Sequence, residues 1–185
     1  MGIPTLIKTL TADGSDYLDF VDGTSSVVLD GTYDEYMFVF TDINPATDGV
    51  HFEFQVNATD DAGGGYDTSL ITSTSFRAYQ AEADSTDFGY QTAYDLAQSA
   101  SFQPIAQDLG NDSDGSGAGI LHLFSPSSTT YVKHFYSRFS CMQSNSEENE
   151  VYFAGYINDT TAIDEIQFKM SSGNFDGVIQ LYGIA

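Results

Sequence analysis

Four groups of residues in this chain have types and spacing that could do chemistry: an oxygen-rich loop, three histidines, an acidic run and a scatter of tyrosines. The loop is Asn111-Asp112-Ser113-Asp114-Gly115-Ser116-Gly117, whose alternating oxygen side chains followed by glycine could wrap a hard cation such as calcium. Counted from Asp112, the twelfth position of an EF-hand, where a bidentate Glu belongs, falls on Leu123, and no helix pattern flanks the loop. Asn111, Asp112 and Asp114 are therefore the calcium candidates, weighed against a solvated glycine-rich strand connection; no other cofactor is expected. His51, His122 and His134 each sit in a strand pattern and lack the close His, Cys or Glu spacing of a zinc site. The run Glu147-Glu148-Asn149-Glu150 reads as a solvated loop tip. Tyr33, Tyr36, Tyr152, Tyr156 and Tyr182 could line a sugar-binding surface, but aromatics in strands more often pack a core or a subunit boundary, and the chain has no Trp.

Serine and carboxylate are abundant, yet no nucleophile elbow, zinc-protease helix motif or phosphate-binding glycine loop is present. Glycosidase-type carboxylates meet only in space, and here the acids cluster in turns rather than beside aromatic clefts. The expectation is a protein that is not an enzyme.

Charge narrows the function further. Against 27 Asp and Glu stand five Lys and Arg, a formal net charge of -22 on 185 residues. Such a surface repels phosphate backbones and anionic lipid, so neither nucleic acid nor membrane is an expected partner. Acidic disordered chains lack aromatics, whereas this one carries 14 Phe and 12 Tyr along its whole length and can bury a core. Twenty of the acids are Asp, which favours turns, so the charge belongs mainly to loops. Self-repulsion of that size calls for salt, cations or a partner to offset it.

The elements that must position these residues are strands. Alternation is clearest at 50–57, where Val50, Phe52, Phe54 and Val56 oppose His51, Glu53, Gln55 and Asn57. Ile166, Phe168 and Met170 oppose Glu165, Gln167 and Lys169 in the same way. Segments 36–41, 119–124, 151–157 and 178–184 are apolar on both faces, as expected of strands central to a two-layer sandwich, and 131–139 makes another strand. Between them lie Asp-Gly and Gly-Asn turn signals, including Asp13-Gly14, Asp48-Gly49, Asp114-Gly115 and Gly173-Asn174. Only 76–83 and 92–100 carry a weak helical pattern. The reading is an all-β, antiparallel β-sandwich of jelly-roll-like connection, with eight to ten strands in a single domain: residues 1–31 supply N-terminal strands or an arm, and 32–185 the sandwich core.

No charged, apolar leader and no long apolar span occurs, so the chain reads as soluble and unexported, and its three glycosylation sequons as chance matches. Cys141 stands alone, leaving the fold to packing or to neighbouring subunits. Ile3, Leu6, Ile7 and Leu10, beside Lys8, suggest an arm that pairs at a neighbour's sheet edge; a strand within the chain's own sheet is the alternative.

The segments Thr32-Tyr33-Asp34-Glu35-Tyr36, Asn44-Pro45-Ala46-Thr47-Asp48-Gly49 and Phe52-Glu53-Phe54-Gln55-Val56-Asn57, with 121–135, 154–158, 163–174 and 179–184, resemble a group of virion structural proteins of marine tailed bacteriophages. The resemblance spans roughly 32–184 and rests on scaffold residues, with no catalytic residue to carry over. It implies a β-fold and a place on a phage particle. The expected function is a capsid decoration or cement protein on the outer surface of the virion head, a homotrimer joined to the major capsid protein or another virion component. The alternative is a tail-fibre or receptor-binding module that recognises host surface glycan.

Overall fold

Segments that alternate apolar and polar side chains bury one face by pairing into sheets, and the computed structural model, which describes residues 2–60, 66 and 69–185, has that form throughout. Twelve strands form among the described residues: β1 (Thr5–Ser15), β2 (Tyr17–Val21), β3 (Glu35–Pro45), β4 (Val50–Ala58), β5 (Ile71–Ala81), β6 (Thr86–Tyr90), β7 (Gln103–Leu109), β8 (Gly117–Phe124), β9 (Lys133–Met142), β10 (Glu147–Ile157), β11 (Ile163–Met170) and β12 (Phe175–Ile184). They make two antiparallel sheets, one of eight strands in the order β1-β12-β3-β8-β9-β10-β5-β6 and one of four in the order β2-β11-β4-β7. The chain is thus the all-β antiparallel sandwich its sequence indicates. Pairs β3:β12, β4:β11 and β5:β10 are antiparallel neighbours. Followed in turn they pass from the larger sheet to the smaller and back, the ribbon wrap of a jelly roll.

The inner faces meet in a phenylalanine-rich core. Phe168 of β11 lies 5.1 Å from both Phe38 and Phe40, 6.0 Å from Phe52 and 6.2 Å from Phe20, ring centre to ring centre. All five are fully buried or nearly so, and each contributes roughly 1.5–3 kcal/mol by leaving water. Gly119 lets Phe139 lie flat on β8, since a Cβ there would come within 2.4 Å of the ring. Beneath β5 and β10 the core turns polar: Ser75, Gln107, Ser137 and Asn149 are buried, and Gln143 Nε2 donates to the Gln107 carbonyl at 3.3 Å. Cys141 lies in the same layer, where burial pushes its thiol up to about 12 and keeps it protonated and inert. Lys133, fully buried at the start of β9, donates to the carbonyls of Asp159, at 3.1 Å, and Thr161.

Several sequence expectations change. Twelve strands replace eight to ten, because β2 and β6 are too short, and β5 too rich in serine and threonine, to carry much periodicity. Residues 76–81, read as a weak helix, belong to β5, held between β10 and β6 by pairing on both sides; 92–100 forms turns and bends. Asp13-Gly14 sits inside β1 at a register shift, with Gly14 at φ 58°. The run at Glu147 is no loop tip: it opens β10, and Asn149 within it points into the core. Residues 5–15 pair along β12, so the first segment is a strand of the chain's own sheet.

Candidate functional site: the outer face of the larger sheet

The doubly apolar segments read from sequence fall in β3, β8, β10 and β12, all in the eight-stranded sheet. One apolar face of each packs on the smaller sheet; the other points outward. Among the described residues no strand packs over that outer face. Antiparallel register sets its side chains in rows. One row runs Tyr182, Met37, His122, Tyr136, Ala154 from β12 to β10, and the next runs Gln180, Val39, Ile120, Arg138, Tyr152, Phe76, Tyr90 from β12 to β6.

Cross-strand contacts hold the rows rigid. Phe76 stacks on Tyr152 with ring centres 4.8 Å apart, and Phe88 meets Phe76 edge to face at 5.8 Å. His122 stacks on Tyr136 at 4.5 Å, and Phe124 leans on Tyr136 at 5.7 Å. Phe88, Tyr136 and Phe76 remain 70 %, 43 % and 38 % exposed to solvent.

Charge on this face is sparse. Its outward acids on β3 and β10 are Glu35, Glu148 and Glu150. Glu35 pairs with His122 and Glu150 with Arg138, while Ser140 Oγ donates to Glu148 at 2.7 Å. The Arg138 guanidinium also lies 5.6 Å from the Tyr152 ring centre. Where Ala118 and Gly119 leave β8 without bulk, a shallow, solvent-open depression of about 360 Å³ opens beside Val39, Ile120 and Arg138. It is a dimple in a broad face, not a cleft.

The loops at the rim are acidic. Asp42, Asp114 and Asp176 surround a second depression at one end of the sheet, and Glu82, Glu147 and Glu148 line a third beside β5 and β10. Of the calcium candidates, Asp114 lines the first of these depressions. Asn111 donates from its amide to Asp48 Oδ1 at 3.3 Å and from Nδ2 to the Ala46 carbonyl at 3.3 Å. The Asp112 carbonyl accepts from Asn44 Nδ2 at 3.1 Å. No group of three or more His, Cys, Asp or Glu placed to hold a metal occurs among the described residues.

The remaining sequence candidates divide. Tyr36 is fully buried, its hydroxyl donating to the Asp30 carbonyl at 2.8 Å, and Tyr33 packs edge-on against it. Tyr152, Tyr156 and Tyr182 lie on the outer face. Of the proposed arm residues, Ile7 and Leu10 pack against the chain's own core, while Ile3 and Leu6 are 87 % and 51 % exposed. His51 belongs to a polar cluster on the opposite sheet: its Nδ1 accepts from the Asp108 amide at 3.2 Å, and Tyr94 donates to Asp108 Oδ2 at 3.2 Å. Nearby, Glu53 pairs with Lys169 at 3.4 Å, and burial holds its carboxyl above the usual range, partly opposed by that lysine and by His51. These groups satisfy one another.

Met37, Val39, Phe76, Ile120 and Tyr136 were not singled out from sequence as site residues. For Met37, Val39 and Ile120 the signal was the double-sided apolarity, which also describes a strand buried on both faces; Phe76 and Tyr136 lie outside those segments. No family model matches the chain, and neither the curated proteins nor the solved structures contain a match.

Proposed function

We propose that this chain is a non-enzymatic structural protein of a phage particle, a decoration or cement protein seated on the outside of the head. The observation that carries the reading is the outer face of the larger sheet: broad, aromatic and sparsely charged on a protein of net charge -22. A flat face of that chemistry suits contact with another folded protein, because depletion of charge with enrichment in Tyr, Phe, Met and Arg marks the centre of protein interfaces. The strongly acidic remainder keeps particles apart in solution and has no need to touch packaged DNA. The resemblance over residues 32–184 supplies the phage setting. Electron-microscope reconstruction of particles that carry the chain tests the reading. Density for a twelve-stranded sandwich on the head surface is the expected result, and absence of the chain from purified particles would overturn it.

A second reading, a tail-associated module that binds host glycan, is favoured by one feature. Tyr90 is 52 % exposed on edge strand β6 beside Phe88, and its hydroxyl donates to Asp95 Oδ2 at 2.6 Å. An exposed ring beside a carboxylate is chemistry that stacks on and hydrogen-bonds a sugar. Binding to a glycan array by the purified chain, lost in Tyr90→Ala, would establish it.

A further inference from the structure

We infer that the outer face of the eight-stranded sheet is a self-association surface, and that its occupant is the same face of a second copy of this chain. The inference rests on the reading of that face as a protein contact and names the partner. Neighbouring strands stand about 4.8 Å apart and residues advance about 3.4 Å along them. Eight strands span seven spacings, and with about six residues along each they make a face of about 34 Å by 20 Å, or ~680 Å². Two copies joined through it would bury about 1,400 Å², inside the range of about 1,200–2,000 Å² of stable interfaces. The sheet has the area a dimer needs without help from its loops.

Local charge agrees. A copy of net charge -22 meets a second copy with least repulsion where its acids are already matched. That place is the middle of this face, where Glu150 has Arg138 and the neighbouring Met37, Val39 and Ile120 carry no charge. Isologous pairing about a two-fold axis at right angles to the rows brings each row against its own copy, so Tyr136, Tyr152 and Phe76 of one copy supply rings to the other, and the dimple beside Ile120 can take a side chain from the facing sheet. The acidic rims, with Asp42, Asp114 and Asp176 at one end, still repel across the contact. Association must then tighten as salt is added, whereas docking onto a basic protein would loosen. A two-fold contact of one face with itself builds pairs, not the trimers expected from sequence alone.

Sedimentation velocity of the purified chain over a range of concentration and sodium chloride tests this. The expected result is a monomer–dimer equilibrium whose dissociation constant falls as salt rises from about 0.02 to about 0.3 M, where screening is nearly complete. Ile120→Glu at the centre and the milder Tyr136→Ser should each raise that constant at least about tenfold, equivalent to about 1.4 kcal/mol. Circular dichroism and the melting temperature of each variant at low concentration report the fold; should Ile120→Glu fail to fold, Tyr136→Ser decides alone. A chain that stays monomeric at about 100 μM in high salt, at which even a weak interface of this size associates, overturns the inference. So does a dimer indifferent to both substitutions, or a trimer. Cosedimentation of the same variants with particles separates the two readings: particle binding by a strictly monomeric chain sinks the dimer and leaves the decoration role standing.

Discussion

Phe168→Ala offers the sharpest test of how the two sheets are held together. The side chain is fully buried, and four other phenylalanine rings lie within 6.2 Å of it, two of them at 5.1 Å. Those neighbours come from β2, β3 and β4, so both sheets enclose the site, and collapse around a smaller side chain would require the sheets to approach. The substitution should therefore fall in the upper part of the Phe→Ala range, about 4–5 kcal/mol. For a domain of this length that lowers the melting temperature by about 10–15 °C. Phe76→Ala removes the same atoms from the outer face, where the ring is 38 % exposed and has Tyr152 at 4.8 Å and Phe88 at 5.8 Å as aromatic neighbours. Its cost in the monomer should be about 2 kcal/mol, from two aromatic pairs and the partial burial of the ring. Urea unfolding of both variants, at low protein concentration and low salt so that the monomer is measured, gives the two numbers. Combining Phe168→Ala with Phe38→Ala should cost less than the sum of the singles, since both rings line one cavity. A loss below about 2 kcal/mol at Phe168, or equal losses at Phe168 and Phe76, would refute the division into a packed inner face and a free outer one.

Stability should rise as pH falls from 7 towards 5. Burial raises the carboxyls of Glu53 and Asp164, so the folded chain binds protons before the unfolded chain does, and acid also relieves self-repulsion. Asp30, whose carboxylate the Thr32 hydrogen bonds hold down, acts with the opposite sign and only below about pH 4. Melting temperatures that decline steadily from pH 7 to pH 5 would contradict this, and Glu53→Gln should flatten the rise. Gly119→Ala should cost about 2–3 kcal/mol by overpacking, because the new methyl meets Phe139 at 2.4 Å and the Arg138 carbonyl at 2.7 Å; a neutral result in thermal melts would show that β8 yields. Lys133→Met should destabilise by about 2–4 kcal/mol, since the buried carbonyls of Asp159 and Thr161 lose their donor, and an unchanged urea midpoint would mean that water replaces it. Sodium chloride should stabilise the monomer up to about 0.15 M, and calcium at matched ionic strength should add nothing further; a calcium increment abolished by Asp112→Asn and Asp114→Asn would establish a cation site at that loop.

Much of the fold was legible because strand periodicity is local. Val50 to Asn57 alternates strictly, and as β4 it buries Val50, Phe52, Phe54 and Val56. The same holds for Ile166, Phe168 and Met170 in β11. Asp48-Gly49 makes the tight turn it signals, Gly49 taking φ 67°. Residues 76–81 misled because their apolar side chains follow no clean period of two: β5 buries serines on its inner side and places Phe76 on an outer face that is itself apolar. The acidic run at Glu147 misled in the opposite sense, since its charge suggests water while pairing with β5 and β9 makes it strand.

Composition and period were sufficient to establish an acidic, strand-built chain without a disulfide, because net charge, cysteine number and alternation are properties of residues and their near neighbours. Which strands lie side by side is settled by hydrogen bonds between segments far apart in the chain, as when β12 closes between β1 and β3. That pairing places four doubly apolar segments in one sheet and gives the smaller sheet only enough width to cover one side of them. The sequence shows that Met37, Val39, Ile120 and Tyr152 are outward or inward neighbours of a core; only the tertiary structure makes them one continuous face, because their adjacency exists across strands and nowhere along the chain.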